Sequence, residues 1–289
     1  MKKTNKSKNL IHEEITPKKH LFDVNLKEIW EYKDLLSLFV RRDFVAVYKQ
    51  TILGPLWFFI QPIFTTLIFT VIFSQLAEIP TDGLPPILFY MCGITCWNYF
   101  AECLNKTSNT FVSNANIFGK VYFPRLVLPI SIIISNLLKF GIQFLLFLGF
   151  LIYYLAQGAN IQPNIYMLLL PLLLLLMGGL GLGVGILISS LTTKYRDFQF
   201  LVIFGVQLFM YATPIVYPLS LAKERLGDYS WIAIANPMTS VVETMKYAFL
   251  GQGQFSWYYL AYSFIFMIIM LFLGTLTFNK VEQSFMDTV

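Results

Sequence analysis

Six apolar stretches cross this 289-residue chain, and the positive charges avoid the first two of the three alternate gaps between them, with Lys223, Arg225 and Lys246 in the third. Eleven of the twenty-one Lys and Arg precede the first stretch, from Lys2 to Lys49. The next polar break, around residues 75 to 85, has none, and the one after it carries Lys106, Lys120 and Arg125. The break around 156 to 164 is again without them, Lys194 and Arg196 fill the following one, and Lys280 lies beyond the last stretch. Loops that stay in the cytoplasm retain Lys and Arg because translocating them is disfavoured. The pattern predicts an all-α integral membrane protein of six transmembrane helices with both termini cytoplasmic.

Composition agrees. Charged residues are only 13% of the chain, against about 25% in a soluble domain. The net charge of +5 is concentrated in the first fifty residues, where it reads as topology and attraction to a lipid surface, not to nucleic acid. Six spans of about twenty residues leave no room for a soluble catalytic domain. The first 20 residues are polar and basic without an apolar core segment, so no cleaved signal peptide is expected.

The expected order is a flexible cytoplasmic tail over 1–23, an interface helix over 24–52, a six-span domain over 53–280 and a cytoplasmic tail over 281–289. In the interface helix Leu26, Ile29, Trp30, Lys33, Leu36, Val40, Phe44 and Val47 recur at helical spacing. Such a basic, aromatic amphipathic helix fits the membrane surface, or a solvated helix packed on another part of the protein. Spans are expected near 56–76, 87–104, 127–155, 165–191, 198–217 and 257–278. In the fourth, Gly181, Gly185 and Ser189 recur every four residues, as do Gly179 and Gly183, a spacing that lets helix backbones approach closely. Packing within the chain, a subunit interface and a hinge are all compatible with it. Residues 219–254 are long for an outer loop, and MTSVVETMKYAFLG after Asn236-Pro237 is too short to cross a bilayer. That stretch predicts short re-entrant or surface helices, with their backbone satisfied by protein or water.

Catalytic chemistry is hard to assemble from this chain. No phosphate-binding glycine loop followed by Lys and Ser or Thr occurs, so it is not itself a P-loop ATPase. Both histidines, His12 and His20, lie in the tail, remote from any Ser or Cys of the spans. Cys92, Cys96 and Cys103 fall roughly on one helical face, where a metal site or simply buried thiols are the two readings; no metal site is expected. The spans are nearly free of acidic residues, unlike those of ion-driven carriers, with Glu102 at a boundary. Lys139, near the middle of the third span, faces either an anionic substrate or a polar partner in the bundle. Most aromatics near span ends are interface anchors, but Trp57, Phe59, Tyr211 and Tyr217 are candidates to line a sugar path.

Several strings are specific. VRRDFVAVYKQTILGPLWFFIQP at 40–62 strongly resembles the segment leading into the first span of permease subunits of ABC-type polysaccharide exporters. These exporters carry O-antigen, capsular polysaccharide or teichoic acid. NANIFGKVYFPRLVLP at 114–129, YRDFQFL at 195–201, TPIVYP at 213–218 and FNKVEQSFMDTV at 278–289 match in the expected order, so the resemblance covers about residues 24–289. It implies a homodimer in the bacterial inner membrane, docked on an ABC ATPase subunit that uses ATP and Mg, with no cofactor bound by this chain itself. It implies export of a polysaccharide, most directly O-antigen, on undecaprenyl diphosphate. Asn116, Ile117, Phe118, Gly119 and Lys120 then belong to the ATPase-coupling segment, and Tyr195, Arg196 and Asp197 to a second contact. Arg41, Arg42 and Lys49 sit where the interface helix meets a lipid diphosphate, a pairing that clustered basic side chains suit, although positive-inside anchoring explains them equally. The stretch 236–250, with Asn236, Pro237, Glu243 and Lys246, becomes an outer gate. The rival of a different class is a membrane enzyme of lipid-linked glycan synthesis, which would need ionisable groups that the spans do not supply. Capsule or teichoic acid export, a related drug or lipid exporter and a structural scaffold are the other readings.

Overall fold

The computed structural model describes residues 26–49, 51–118, 123–192, 195 and 197–286. The expected tail over 1–23, and Gly119, Lys120 and Arg196 of the expected coupling contacts, lie outside the described residues. Helices α1 (Leu26–Glu31) and α2 (Lys33–Tyr48) are divided by a turn at Tyr32. The first apolar helix begins with a tight turn at Gly54–Leu56, runs as α3 (Trp57–Phe69) and widens into π-helical turns over Thr70–Leu76. Next come α4 (Pro86–Thr107), the short α5 (Thr110–Ser113) and α6 (Ala115–Phe118), and the long α7 (Val127–Ala156). A 3-10 turn at Ile165–Leu169 leads into α8 (Leu170–Thr192), and α9 (Phe198–Tyr211) follows. Three short helices, α10 (Leu219–Leu226), α11 (Trp231–Ala235) and α12 (Pro237–Leu250), precede α13 (Trp257–Met286).

Among the described residues five helices are long and apolar enough to cross a membrane: 54–76, 86–107, 127–156, 165–192 and 257–280. The expected fifth span over 198–217 differs. Its helix stops at Tyr211 after 14 residues, about 21 Å against a hydrocarbon core of about 30 Å. Pro214 and Pro218 have no N–H to donate, so the helix cannot run on, and 212–218 turns back into the protein with Thr213 and Ile215 fully buried.

Helices α4, α8 and α13 form the centre, and glycine decides how closely they meet. A Cβ on Gly181 would lie 2.7 Å from that of Cys103, and one on Gly183 would lie 2.7 Å from the backbone nitrogen of Leu271. Gly185 faces Thr107 of α4 and Gly179 faces Met267 of α13. The two four-residue stripes therefore serve two neighbours inside one chain, which selects intramolecular packing from the readings the sequence left open. Cys92, Cys96 and Cys103 are buried in the same core.

A second apolar cluster closes the end where α1 and α2 lie, here the near end. Ile29, Phe39, Phe111, Phe118, Phe123, Val127, Leu128, Ile186 and Phe278 assemble it from seven helices and the α6–α7 connection. Helix α2 packs on α7 by a face that matches the expected one only in part. Ile29, Tyr32, Leu35, Leu36 and Phe39 form that face at helical spacing on both sides of the turn, while Trp30 is 74% exposed.

Candidate functional site

Helix α12 dominates the opposite, far end. Its start is fixed by Asn236, whose side chain accepts from the Met238 N–H at 2.9 Å, with Pro237 in the first turn where a missing donor costs nothing. Its end is fixed by Gly251 at φ 77°, a left-handed conformation in which a side chain is strained. The last-turn carbonyls are taken by the loop before α8: Gln162 N–H to Leu250 O at 3.3 Å, Asn164 N–H to Ala248 O at 3.0 Å, and the Asn164 amide to Tyr247 O at 2.8 Å. Every α12 residue except Tyr247 is buried, so this short helix lies inside the bundle and not on its surface.

Two of the expected gate residues, Lys246 and Asn236, meet the broken end of α9, and a third, Glu243, pairs with Lys246. Lys246, 1% exposed, donates from Nζ to Pro214 O at 2.6 Å, lies 3.4 Å from Glu243 Oε1 and sits 3.8 Å from the centre of the Phe89 ring. Glu243, 2% exposed, accepts from the Gln254 N–H at 3.0 Å through its other oxygen. The Asn236 amide donates to Thr213 Oγ1 at 2.8 Å. Non-helical backbone is tolerated at membrane depth only where protein satisfies it, and here α12 supplies the donors. Pro237 completes the group from α13: its carbonyl accepts from Ser263 Oγ at 2.8 Å.

A second polar cluster lies between α4 and α7 toward the near end. Glu102 Oε2 is 2.9 Å from Lys106 Nζ and 3.5 Å from Lys139 Nζ, so one carboxylate serves two ammonium groups. Lys106 also donates to Asn136 Oδ1 at 3.4 Å, and one turn toward the far end the Asn98 amide donates to Gln143 Oε1 at 3.3 Å. Lys139 thus has a partner inside the bundle. Reading the sequence alone missed the Glu102–Lys106 pair, although their spacing of four on a helix was a visible signal.

The remaining expected site residues are dispersed. Arg41 and Lys49 are exposed, while Arg42 pairs with Asp43 at 2.8 Å and stacks 4.8 Å above Phe39. Asn116 is exposed and Ile117 half-buried, but Phe118 is buried between Phe111 and Phe123, with the Arg125 guanidinium 5.3 Å from its ring. Tyr195 and Asp197 are exposed at the start of α9. These two segments leave the bundle at the same end, where Thr192 Oγ1 donates to Ser108 O at 2.8 Å and the Phe111 N–H donates to Ser189 Oγ at 3.4 Å. The four aromatics fall in two separate pairs. Trp57 and Phe59 stand at the near end of α3, and Tyr211 at the far end of α9, where its carbonyl accepts from the Tyr217 hydroxyl at 3.2 Å.

The described residues form a bundle of apolar helices around charged seams, a framework suited to a membrane transporter subunit. The sequence profile of the family described as ABC-2 type transporter matches residues 34–250, and the chain belongs to that family. It is a transport permease subunit and not an enzyme, working in a membrane with a separate ABC ATPase. It is similar to an O-antigen export system permease protein RfbA of Klebsiella pneumoniae, 28% identical over 255 residues, covering 88% of this chain and 94% of the relative. A second Klebsiella pneumoniae protein of that name is 27% identical over 254 residues, covering 88% and 94%. A third, from Myxococcus xanthus, is 27% identical over 227 residues, covering 78% and 83%.

Proposed function

We propose that this chain is the channel-forming subunit of an ATP-driven exporter that moves O-antigen polysaccharide, linked to undecaprenyl diphosphate, outward across the bacterial inner membrane. The observation that carries this reading is the similarity to O-antigen export permeases along nearly the whole length of both chains. Two copies form the pathway between them. Supporting this, α3 and α9 leave most of their residues uncovered by their own chain, as α13 does, and α3 and α9 each expose a glutamine, Gln61 and Gln207, among apolar neighbours. The absence of Lys and Arg from the first two far-end gaps supports a near end and both termini in the cytoplasm.

ATP and Mg are used by the partner ATPase. That partner docks on Asn116, Ile117, Phe118, Gly119 and Lys120 and on Tyr195, Arg196 and Asp197. Motion enters through Phe118 and Phe111, which are packed into the near-end core. Arg41, Arg42 and Lys49 guide the lipid diphosphate to the membrane surface. Trp57 and Phe59 at one end, with Tyr211 and Tyr217 at the other, offer flat faces to sugar rings. Helix α12, with Asn236, Pro237, Glu243 and Lys246, closes the outer mouth.

The test is mass spectrometry of undecaprenyl-linked glycans in cells lacking this chain, with immunoblotting of the surface glycan. Full-length polymer held on the carrier, with surface polymer lost, is the expected result. Accumulation of truncated glycan alone places the fault in synthesis, and unchanged glycans on both sides overturn the polysaccharide assignment.

A further inference from the structure

We propose that Lys106, Glu102 and Lys139 form a binding site for the diphosphate of the lipid-linked substrate, in which Glu102 is a resident counter-ion that phosphate oxygens displace. The proposal rests on the export reading above and adds to it the place where the charged headgroup is held.

Charge imbalance is the first observation. Lys106 Nζ and Lys139 Nζ share the single oxygen Glu102 Oε2, at 2.9 and 3.5 Å. Asp43 of α2 is already paired with Arg42 at 2.8 Å. Two cations and one anion leave an excess positive charge within apolar spans, where an uncompensated charge is disfavoured and marks a substrate or ion path. Access is the second observation. The Lys106 and Glu102 side chains keep 41% and 50% of their exposure, whereas that of Lys139 keeps 13%, so the cluster opens on one side and is anchored on the other.

Position is the third. Helix α2 packs on α7, the helix that carries Lys139, so the helix with Arg41 and Arg42 and the cluster share one neighbour. A lipid whose tail stays in the bilayer and whose headgroup follows α2 reaches this seam next. A diphosphate offers several oxyanions to the two ammonium groups, where Glu102 offers one carboxylate, and charge-assisted hydrogen bonds of this kind are the strong ones. Asn136 Oδ1, accepting from Lys106 at 3.4 Å, and the Asn98–Gln143 pair continue the polar seam toward the far end.

The experiment uses the full chain with its ATPase partner in nanodiscs of zwitterionic lipid, and measures binding of undecaprenyl diphosphate by native mass spectrometry. Undecaprenol, inorganic pyrophosphate and phosphatidylglycerol are the comparison probes. Lys139→Met removes one cation and leaves the Glu102–Lys106 pair. Its affinity for undecaprenyl diphosphate falls at least tenfold, while binding of undecaprenol does not change. Glu102→Gln removes the resident competitor, and affinity rises severalfold. These opposite signs separate a phosphate site from a structural ion pair, which both substitutions would damage alike. Pyrophosphate binding with the same two responses assigns the site to the oxyanion alone, and binding of only the lipid form assigns it to the membrane-held headgroup; either supports the proposal. Equal competition by phosphatidylglycerol, or unchanged affinity in both variants, overturns it. A wild-type complex that does not bind undecaprenyl diphosphate overturns the substrate reading itself, and this proposal with it.

Discussion

Lys246→Met tests the account of the far end most directly. The substitution keeps the length and most of the volume of the side chain but removes the ammonium group. Lost with it are the donor to Pro214 O at 2.6 Å, the ion pair with Glu243 at 3.4 Å and the cation over Phe89 at 3.8 Å. Glu243 is then a carboxylate 2% exposed, holding only the Gln254 N–H at 3.0 Å. Removing one member of a buried ion pair costs about 3–5 kcal/mol, mostly because the remaining charge is uncompensated. The unpaired Pro214 carbonyl belongs to the same network, so its loss is not added separately. At about 2–4 °C per kcal/mol, the melting temperature of the detergent-solubilised chain falls on the order of 10 °C. The double variant Lys246→Met/Glu243→Gln separates causes. Its amide oxygen still accepts from Gln254 while the stranded charge is gone, so about 2 kcal/mol or more returns. A Lys246→Met melting point within about 2 °C of wild type would refute the reasoning. So would a double variant as unstable as the sum of the two single changes.

Four further outcomes follow from the packing. Gly183→Ala drives a methyl to within 2.7 Å of the Leu271 backbone and forces α8 from α13, destabilising by about 1–3 kcal/mol. Gly149→Ala, mid-helix and with nothing within 4 Å, stabilises by about 0.5–1 kcal/mol, and thermal unfolding reads both. Asn236→Ala removes the cap of α12 and the donor to Thr213, at about 1–2 kcal/mol in the same assay. Phe111→Ala empties a fully buried site stacked 4.4 Å from Phe278 and costs about 3–5 kcal/mol. In the complex it also lowers the coupling of ATP hydrolysis to transport, measured as polymer exported per ATP.

The helices were legible because hydropathy and the placement of Lys and Arg are properties of one dimension. Five expected spans coincide with long helices to within a few residues. The fifth ends earlier than expected, at Tyr211, because the run from 198 to 217 is apolar throughout and hydropathy does not register that Pro214 ends hydrogen bonding. Its prolines were visible; the buried turn that they impose was not. The expected face of α1 and α2 shares Ile29 and Leu36 with the buried one, but hydropathy alone did not show that Phe39 faces inward and Trp30 outward. What the sequence could not supply was partnership. Lys139 and Glu102 are 37 positions apart and Lys246 and Pro214 are 32 apart, and each pairing depends on which helices are neighbours. The glycine stripes were visible, but not that one meets α4 and the other α13.

Two lysines within the bundle show why environment, and not residue type, decides the role. Lys246 has a carboxylate, a carbonyl and an aromatic face within reach, and water is excluded from it. Its charge is matched, so its work is mechanical: it holds the turn after α9 against α12. Lys139 shares its one carboxylate with Lys106 in a seam open on one side, so its charge is under-matched and stays available to an anion. The same substitution therefore reads out in different assays. Lys246→Met lowers the melting temperature. Lys139→Met relieves an excess positive charge, so stability holds or rises while affinity for the diphosphate falls. If both variants lost stability to the same degree, the seam between α4 and α7 would be a structural ion pair like the one in α12, and the distinction drawn from its charge imbalance would fail.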